Sequence, residues 1–337
     1  MSFPKRHQKY LNILQEKTND IPRSKMWSDL SPEFLTEIVD GKPIMPTFRQ
    51  KKYFVIFGKD SGITFRDIRR YRAVRFLESL VLRFKRRIMD KDLQWRIIFN
   101  ELGYYNLKTK YHLYDHPLFG KERCVHGVVL YLQWHNYCVL YPFIKDIKNM
   151  KYLEIGAGSG LLSMFLHHDL GAKVVIVDLP EMISYSSGCV YQMFPEANIL
   201  LPNEVKSDIK YEDYDFVFLL PNQTSYLPKD YFDLTVNCQS MGEMRKEEID
   251  KYFMVIQDVV KNGGYFFCSN RLRKNPEQIP TTDTITPLMA EIPGTNHFFK
   301  YPWNRKNEDV LIDIHHYRLN WLKESPLTIE RLQKIVK

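Results

Sequence analysis

Residues 152–162 read "YLEIGAGSGLL", an apolar run that breaks into strictly alternating glycines, Gly156, Gly158 and Gly160. The apolar "KYLEI" before the glycines is short and bounded by a turn signal, which reads as a buried strand. After them "LLSMFLHHDLG" reads as a helix stopped by Gly171, since glycine just past the last periodic residue is a common terminator. "AKVVIVDLP" then supplies a second strand rich in β-branched residues, so the glycines join a strand to a helix inside a βαβ unit.

Working outward, the same alternation continues. "EMISYSSGCVYQMF" predicts a helix, "ANILL", "YDFVFLL" and "YFDLTVNC" predict strands, and "KEEIDKYFMVIQDVVKNGG" predicts a helix with a glycine stop. "YFFCSN" and the later "VLIDIHHYRL" complete the set. Strands alternating with helices imply a parallel sheet covered on both faces. The expectation is an α/β fold, a Rossmann-like doubly wound, mostly parallel sheet over residues 116–337, preceded by a mainly helical segment over 1–115.

The spacing of the glycines discriminates among ligands. A dinucleotide fingerprint G-x-G-x-x-G needs its third glycine at position 161, which is Leu, and a nucleoside-triphosphate loop needs a Gly-Lys-Ser/Thr that is absent here. Glycines at alternate positions let backbone pass close to a ligand. A carboxylate just before the turn, Glu154, suits a cation, and Asp178, at the tip of the second strand, can accept hydrogen bonds from both hydroxyls of a ribose. Together they point to a ligand with an ammonium and a ribose but no pyrophosphate.

Glu154-Ile-Gly156-Ala-Gly158-Ser-Gly160 resembles the first motif, acidic-x-G-x-G-x-G, of the class I methyltransferases that use S-adenosylmethionine (SAM). The resemblance implies SAM as cofactor, with Glu154 near its ammonium, Gly156, Ala157, Gly158 and Gly160 along it, and Asp178 and Leu179 at the nucleoside. It further implies Asn222 and Gln223 near the adenine amine and Asn237 at the end of the fourth strand. The blocks "LLPNQ", "DLTVNCQSMGEM", "CSNR" and "YPWN", spread over roughly residues 120–320, resemble the bacterial sugar O-methyltransferases encoded among genes for surface polysaccharides. That narrower resemblance implies methylation of a sugar hydroxyl on a nucleotide sugar, glycolipid or glycan in the cytoplasm.

A sugar hydroxyl is weakly acidic, so a base is expected to take its proton. Glu243 after the fourth strand, His297 in a loop rich in Gly, Pro and Asn, and His126 just before the cofactor region are the candidates. Each also has an ordinary reading: a carboxylate opening a helix, or a hydrogen-bonded structural histidine. Gln239, Asn270 and Arg271 lie at strand ends on the ligand edge, where Arg271 can grip a carboxylate or phosphate in bidentate fashion. Trp303 can stack on a sugar ring or pack in the core. His112, Asp115 and His116 have metal-ligand chemistry but no supporting cluster, and His315 and His316 alternate along a strand, so no metal site is expected.

Charge and composition limit the partners. A net charge of +8 favours an anionic substrate or surface. In "FRDIRRYRAVRFLESLVLRFKRRIM" one helical face carries Ile68, Tyr71, Val74 and Leu77 while the other carries Arg69, Arg72, Arg75 and Arg83. This reads either as a solvated face with snorkelling side chains or as a surface for phosphates or an anionic membrane. The N-terminal segment is expected to cap the acceptor side. A nucleic-acid methyltransferase is the rival reading, and a non-catalytic binding module a third. No Asn-Pro-Pro-Tyr-like block follows the fourth strand, where Asn237-Cys-Gln-Ser stands instead, so no stable nucleic-acid partner is expected. The five cysteines lack a C-x-x-C pair and read as reduced core thiols. "GVVLYLQWHNYCVLYPFI" is interrupted by Gln133, His135 and Asn136 and reads as a buried helix, not a membrane span. With no apolar run after the basic N-terminus, the expected location is cytoplasmic, with membrane association left open.

Overall fold

The computed structural model describes residues 3–17, 37–39, 42–44, 116–120, 127–244, 246–271, 303, 307–316 and 327–337. These fall into two units, one drawn from 1–47 and 146–337, the other from 48–145. The boundary expected near residue 115 therefore falls inside the second unit. The Arg-rich stretch after Phe65, His112, Asp115, His126 and His297 lie outside the described residues.

Helix α1 (Phe3–Lys17) and a two-stranded hairpin of β1 (Glu37–Val39) and β2 (Lys42–Ile44) open the first unit. The second unit holds α2 (Pro117–Gly120) and α3 (Gly127–Ile144). In α3 the rings of Trp134 and Tyr137 pack 5.2 Å apart, and Gln133, His135 and Asn136 are buried as well. Asn136 donates to Gln133 Oε1 at 3.2 Å. This is the buried helix the sequence predicts, and no helix among the described residues is long and apolar enough to cross a membrane.

The first unit continues with β3 (Lys151–Ile155), α4 (Leu161–Leu170), β4 (Lys173–Val177), α5 (Pro180–Met193), β5 (Ile199–Leu200) and β6 (Phe216–Leu219). It closes with β7 (Phe232–Cys238), α6 (Lys246–Val259), β8 (Val260–Arg271), β9 (Glu308–His316) and β10 (Leu327–Lys334). Eight strands form one sheet in the order β5-β6-β4-β3-β7-β8-β10-β9. From β5 through β8 every pairing is parallel, while β10 is antiparallel to both β8 and β9. The α/β Rossmann-like architecture is thus present, with helices and strands alternating as the sequence implied.

Burial explains the strand order. β3, β4 and β6 are mostly apolar and, after the opening lysines of β3 and β4, buried throughout because both faces are covered, as central parallel strands require. On one face Leu153, Ile155, Val175, Val177 and Val217 pack against Ile249, Phe253 and Ile256 of α6. From β3 the chain winds outward through β4 to β6, then returns to place β7 on the opposite side of β3. Such a reversal opens a crevice at the carboxyl ends of the strands, where open α/β sheets bind ligands.

Two local expectations are corrected. The helix after β7 ends at Val259, before the glycines expected to stop it. Gly263 and Gly264 instead lie in an irregular stretch of β8 between the pairs Phe232 with Val260 and Leu234 with Tyr265. A side chain at Gly264 would press on Val260 and on the Asp233 and Lys261 carbonyls, so close backbone approach requires glycine there. The second correction is β10, absent from the sequence reading. Its Glu330, Arg331 and Gln333 are buried, so no apolar alternation advertises it. They fit inside because Arg331 makes a bidentate pair with Asp309 (2.6 and 2.8 Å) and Gln333 bonds Asp309 at 2.8 Å and Trp303 Nε1 at 2.7 Å.

Candidate cofactor and acceptor site

The glycine turn sits at the mouth of that crevice. Gly156, Gly158 and Gly160 have φ of 71°, 60° and 72°, so the alternation of the sequence is an alternation of left-handed residues that side chains resist. Gly156 donates to Val177 O at 2.8 Å, tying the end of β3 to the end of β4. Gly160 donates to Ala157 O at 3.0 Å and starts α4. A Cβ on Gly156 would collide with Ser240 Oγ, whereas one on Gly158 would meet only Met182 Cε at 4.0 Å. The turn is therefore wedged against the loop after β7 at its first glycine and open at its second.

Two buried carboxylates flank it. Asp178 accepts from the Gly158 N–H through Oδ2 and from the Leu179 N–H through Oδ1, both at 2.8 Å. Burial raises its pKa to about 7, the nearby charges of Glu181 and Glu243 push the same way, and the two N–H donors oppose them. Glu154 is 1% exposed. Ser163, in the first turn of α4, donates to its Oε2 at 2.5 Å. The Tyr152 hydroxyl steadies the charge from the same face of β3 without hydrogen-bond geometry, so Oε1 is left without a partner, as is the buried Ser159 hydroxyl in the turn itself. Burial pushes the Glu154 pKa up to about 7. An unpaired buried carboxylate oxygen is costly, and a ligand cation arriving at the turn would remove that cost.

The side formed by the ends of β7 and β8 differs. Asn237, predicted to meet the cofactor, is fully buried and spent on the scaffold. Its Nδ2 donates to Ile155 O (2.8 Å) and Ser240 Oγ (2.6 Å), while its Oδ1 accepts from Met241 N (3.2 Å) and Asn270 Nδ2 (2.9 Å). Asn270, predicted to bind substrate, accepts in turn from Gly242 N at 3.0 Å. Gln223 caps its own turn, accepting from Leu220 N at 2.9 Å and donating to Pro202 O at 3.0 Å. All three amides hydrogen-bond within the scaffold. Trp303, which the sequence left between a sugar stack and core packing, is partly buried and lies edge-on against Phe253 at 4.6 Å and Phe266 at 5.5 Å, against the core beside α6.

Gln239, Glu243 and Asn222 remain at the strand ends. Gln239 has φ 67°, an uncommon conformation for a residue with a side chain, held by its N–H to Ser269 O at 2.8 Å. Backbone strain of this kind concentrates at functional sites. Glu243 is half-buried on the turn Met241–Glu243, near enough to Asp178 to influence its ionisation. Asn222 is exposed on the turn after β6. Arg271 ends β8, and its side chain lies outside the described residues. Ser163 and Met182 also stand beside the glycine turn without having been predicted, whereas Ser240, in the Asn237-Cys-Gln-Ser stretch that the sequence places at the end of the fourth strand, lies against Gly156.

Cys138, Cys189, Cys238 and Cys268 are buried thiols, and burial pushes Cys138 up to about 12. His116 accepts from Leu118 N at 3.2 Å and lies edge-on to Trp134 at 5.6 Å.

No family profile matches this sequence, and no curated protein matches it. Solved structures are similar at low identity. One is a protein of echinomycin biosynthesis, described with the conversion of a disulfide bond into a thioacetal group: 13% identity, TM-score 0.40, over 59% of this chain and 80% of that one. Another is TehB from Haemophilus influenzae, also at 13% identity and TM-score 0.40, over 59% of this chain but only 61% of TehB. A third is the Burkholderia thailandensis 1,6-didemethyltoxoflavin-N1-methyltransferase with bound S-adenosylhomocysteine: 14%, TM-score 0.39, over 60% and 76%. The assignment of a ligand rests on this chain's own residues.

Proposed function

We propose that the chain is a SAM-dependent methyltransferase and that its acceptor is a sugar hydroxyl on a nucleotide sugar, glycolipid or glycan. The observation that carries the cofactor is the left-handed turn Gly156–Gly160 held by Asp178, with Glu154 buried and incompletely paired beside it. These residues fit a ligand with an ammonium for Glu154 Oε1 and a ribose diol for Asp178. Leu179 and Met182 offer apolar contact to a base, and the opening of α4 suits a carboxylate. SAM, when bound, supplies an electrophilic methyl carried on a positively charged sulfur.

Because that electrophile is already activated, the chain's own contribution is chiefly orientation. The Asn237–Ser240–Asn270 network fixes the loop after β7 against the glycine turn, so the two sides of the crevice hold one spacing. Gln239 and Glu243 line the acceptor end. Glu243 is the base we assign to the hydroxyl proton, its carboxylate being half-buried at the mouth of the crevice; His126 and His297 are the alternatives named by the sequence. The sugar acceptor is supported by the four sequence blocks and by the basic surplus, which suits a phosphorylated sugar or a lipid-linked one at an anionic membrane.

Transfer of label from methyl-labelled SAM is the test. Methyl incorporation into nucleotide sugars or glycolipids, lost in Glu243→Gln, is expected. Incorporation into tRNA or DNA alone would replace the acceptor, and full turnover in Glu243→Gln would move the base to a histidine.

A further inference from the structure

Helix α1 stands far from the glycine turn in sequence, yet it belongs to the same unit. Its contacts run antiparallel along α5. Tyr10 OH donates to Pro180 O at 3.4 Å, His7 Nε2 lies 2.8 Å from Ser184 O, and the Phe3 ring stacks on Tyr191 at 4.5 Å. Three residues on one face of α1 thus follow α5 from its first residue to its last turn. Arg6 locks the pair to the sheet edge, donating to both oxygens of Glu204 (2.6 and 2.5 Å) and to Ile199 O at 2.5 Å in β5. A half-buried bidentate arginine of this kind is directional as well as attractive.

What α1 covers is the start of α5, and α5 begins two residues after Asp178. Leu179, whose N–H holds Asp178 Oδ1, is the residue before α5, and Met182, on its first turn, reaches over Gly158. Tyr10 is 2% exposed. Burial raises its phenol well above its ordinary range, and the charges of Glu181 and Asp178 reinforce the effect, which places both carboxylates in its surroundings. A neutral phenol is suited to that position: it offers a hydrogen to an oxygen-rich pocket without adding charge. Leucine or phenylalanine would serve a purely packed interface.

We propose that α1 forms the outer wall of the nucleoside end of the cofactor site, with Tyr10 a positioning residue for Asp178 and the first turn of α5. The wall lies at the nucleoside end; the acceptor-side cap expected of the N-terminal segment falls largely on residues outside those described. The proposal rests on the SAM reading above.

The experiment uses the full chain and S-adenosylhomocysteine as probe. Calorimetric Kd and thermal midpoint are measured for the wild type, Tyr10→Phe and Tyr10→Ala, and amide exchange of residues 3–17 is followed with and without the probe. Tyr10→Ala is expected to weaken binding by about tenfold or more, the scale of one lost hydrogen bond with its packing. Tyr10→Phe is expected to weaken the probe and free adenosine by the same factor at an unchanged midpoint. Amide exchange in α1 should slow when the probe binds to the wild type, a readout that survives even if Tyr10→Ala fails to fold. Unchanged Kd in both variants, or a lowered midpoint with unchanged Kd, overturns the proposal, as does probe-independent exchange of α1. A wild type that binds no probe would instead sink the SAM reading itself.

Discussion

The two sides of the crevice are both built from buried polar groups, and they use them in opposite ways. At the β3–β4 side, Glu154 Oε1 and the Ser159 hydroxyl are buried without a partner, and burial lifts Glu154 and Asp178 to about 7. At the β7–β8 side, Asn237, Asn270 and Ser240 satisfy one another and the backbone of the loop. Buried polar groups are nearly always paired in a native protein, so the incomplete groups at the glycine turn are the ones that the proposed SAM reading has a ligand complete. Those already paired mark where the scaffold must not move.

The contrast is sharpest in two substitutions. Glu154→Gln removes the charge we assign to the ligand's ammonium, and we expect Kd for S-adenosylhomocysteine to rise about 100-fold, the scale of a lost buried charge-assisted contact. The unliganded protein should melt at the same temperature or higher, since an uncompensated charge has gone. Asn237→Ala should behave the other way. Leaving the Met241 N–H and Asn270 Nδ2 unsatisfied should cost about 2 kcal/mol of stability in a denaturant titration, with ligand affinity following only through the loop. Equal effects of both changes on binding would erase the distinction between the two sides.

A pH series tests the same point from the ionisation side. Both carboxylates are protonated more readily in the folded chain than unfolded, where they ionise near 4. The folded state then holds more protons between about pH 4 and 7, so unliganded stability should fall as pH rises through that window and level off above it. Ligand affinity should move oppositely, tightening by about tenfold between pH 6 and 8 as Glu154 ionises. The smallest effect is expected at Trp303. Trp303→Phe loses the bond to Gln333 and should cost about 1 kcal/mol while leaving the acceptor KM unchanged; a raised KM would return Trp303 to the acceptor site.

The sequence was most legible where one residue type has one physical meaning. Alternating glycines announced left-handed backbone, and continuous apolar runs announced central strands. It was least legible where meaning depends on a partner. Asn237, Gln223 and Asn270 have the donor and acceptor groups of ligand contacts, and nothing in their identity shows that Met241, Leu220 and Gly242 already claim them. β10 escaped notice because Arg331 and Gln333 are made acceptable inside by Asp309 on the neighbouring strand. Tyr10 stands 170 residues from Pro180, beyond any local pattern.

The most direct test of the central claim is a calorimetric titration of S-adenosylhomocysteine into the full chain at pH 8, with Asp178→Ala beside it. Saturable one-to-one binding by the wild type is expected, lost in the variant, whose Gly158 and Leu179 N–H groups no longer have the Asp178 carboxylate as acceptor. Absence of binding to the wild type, or equal affinity in Asp178→Ala, would contradict it.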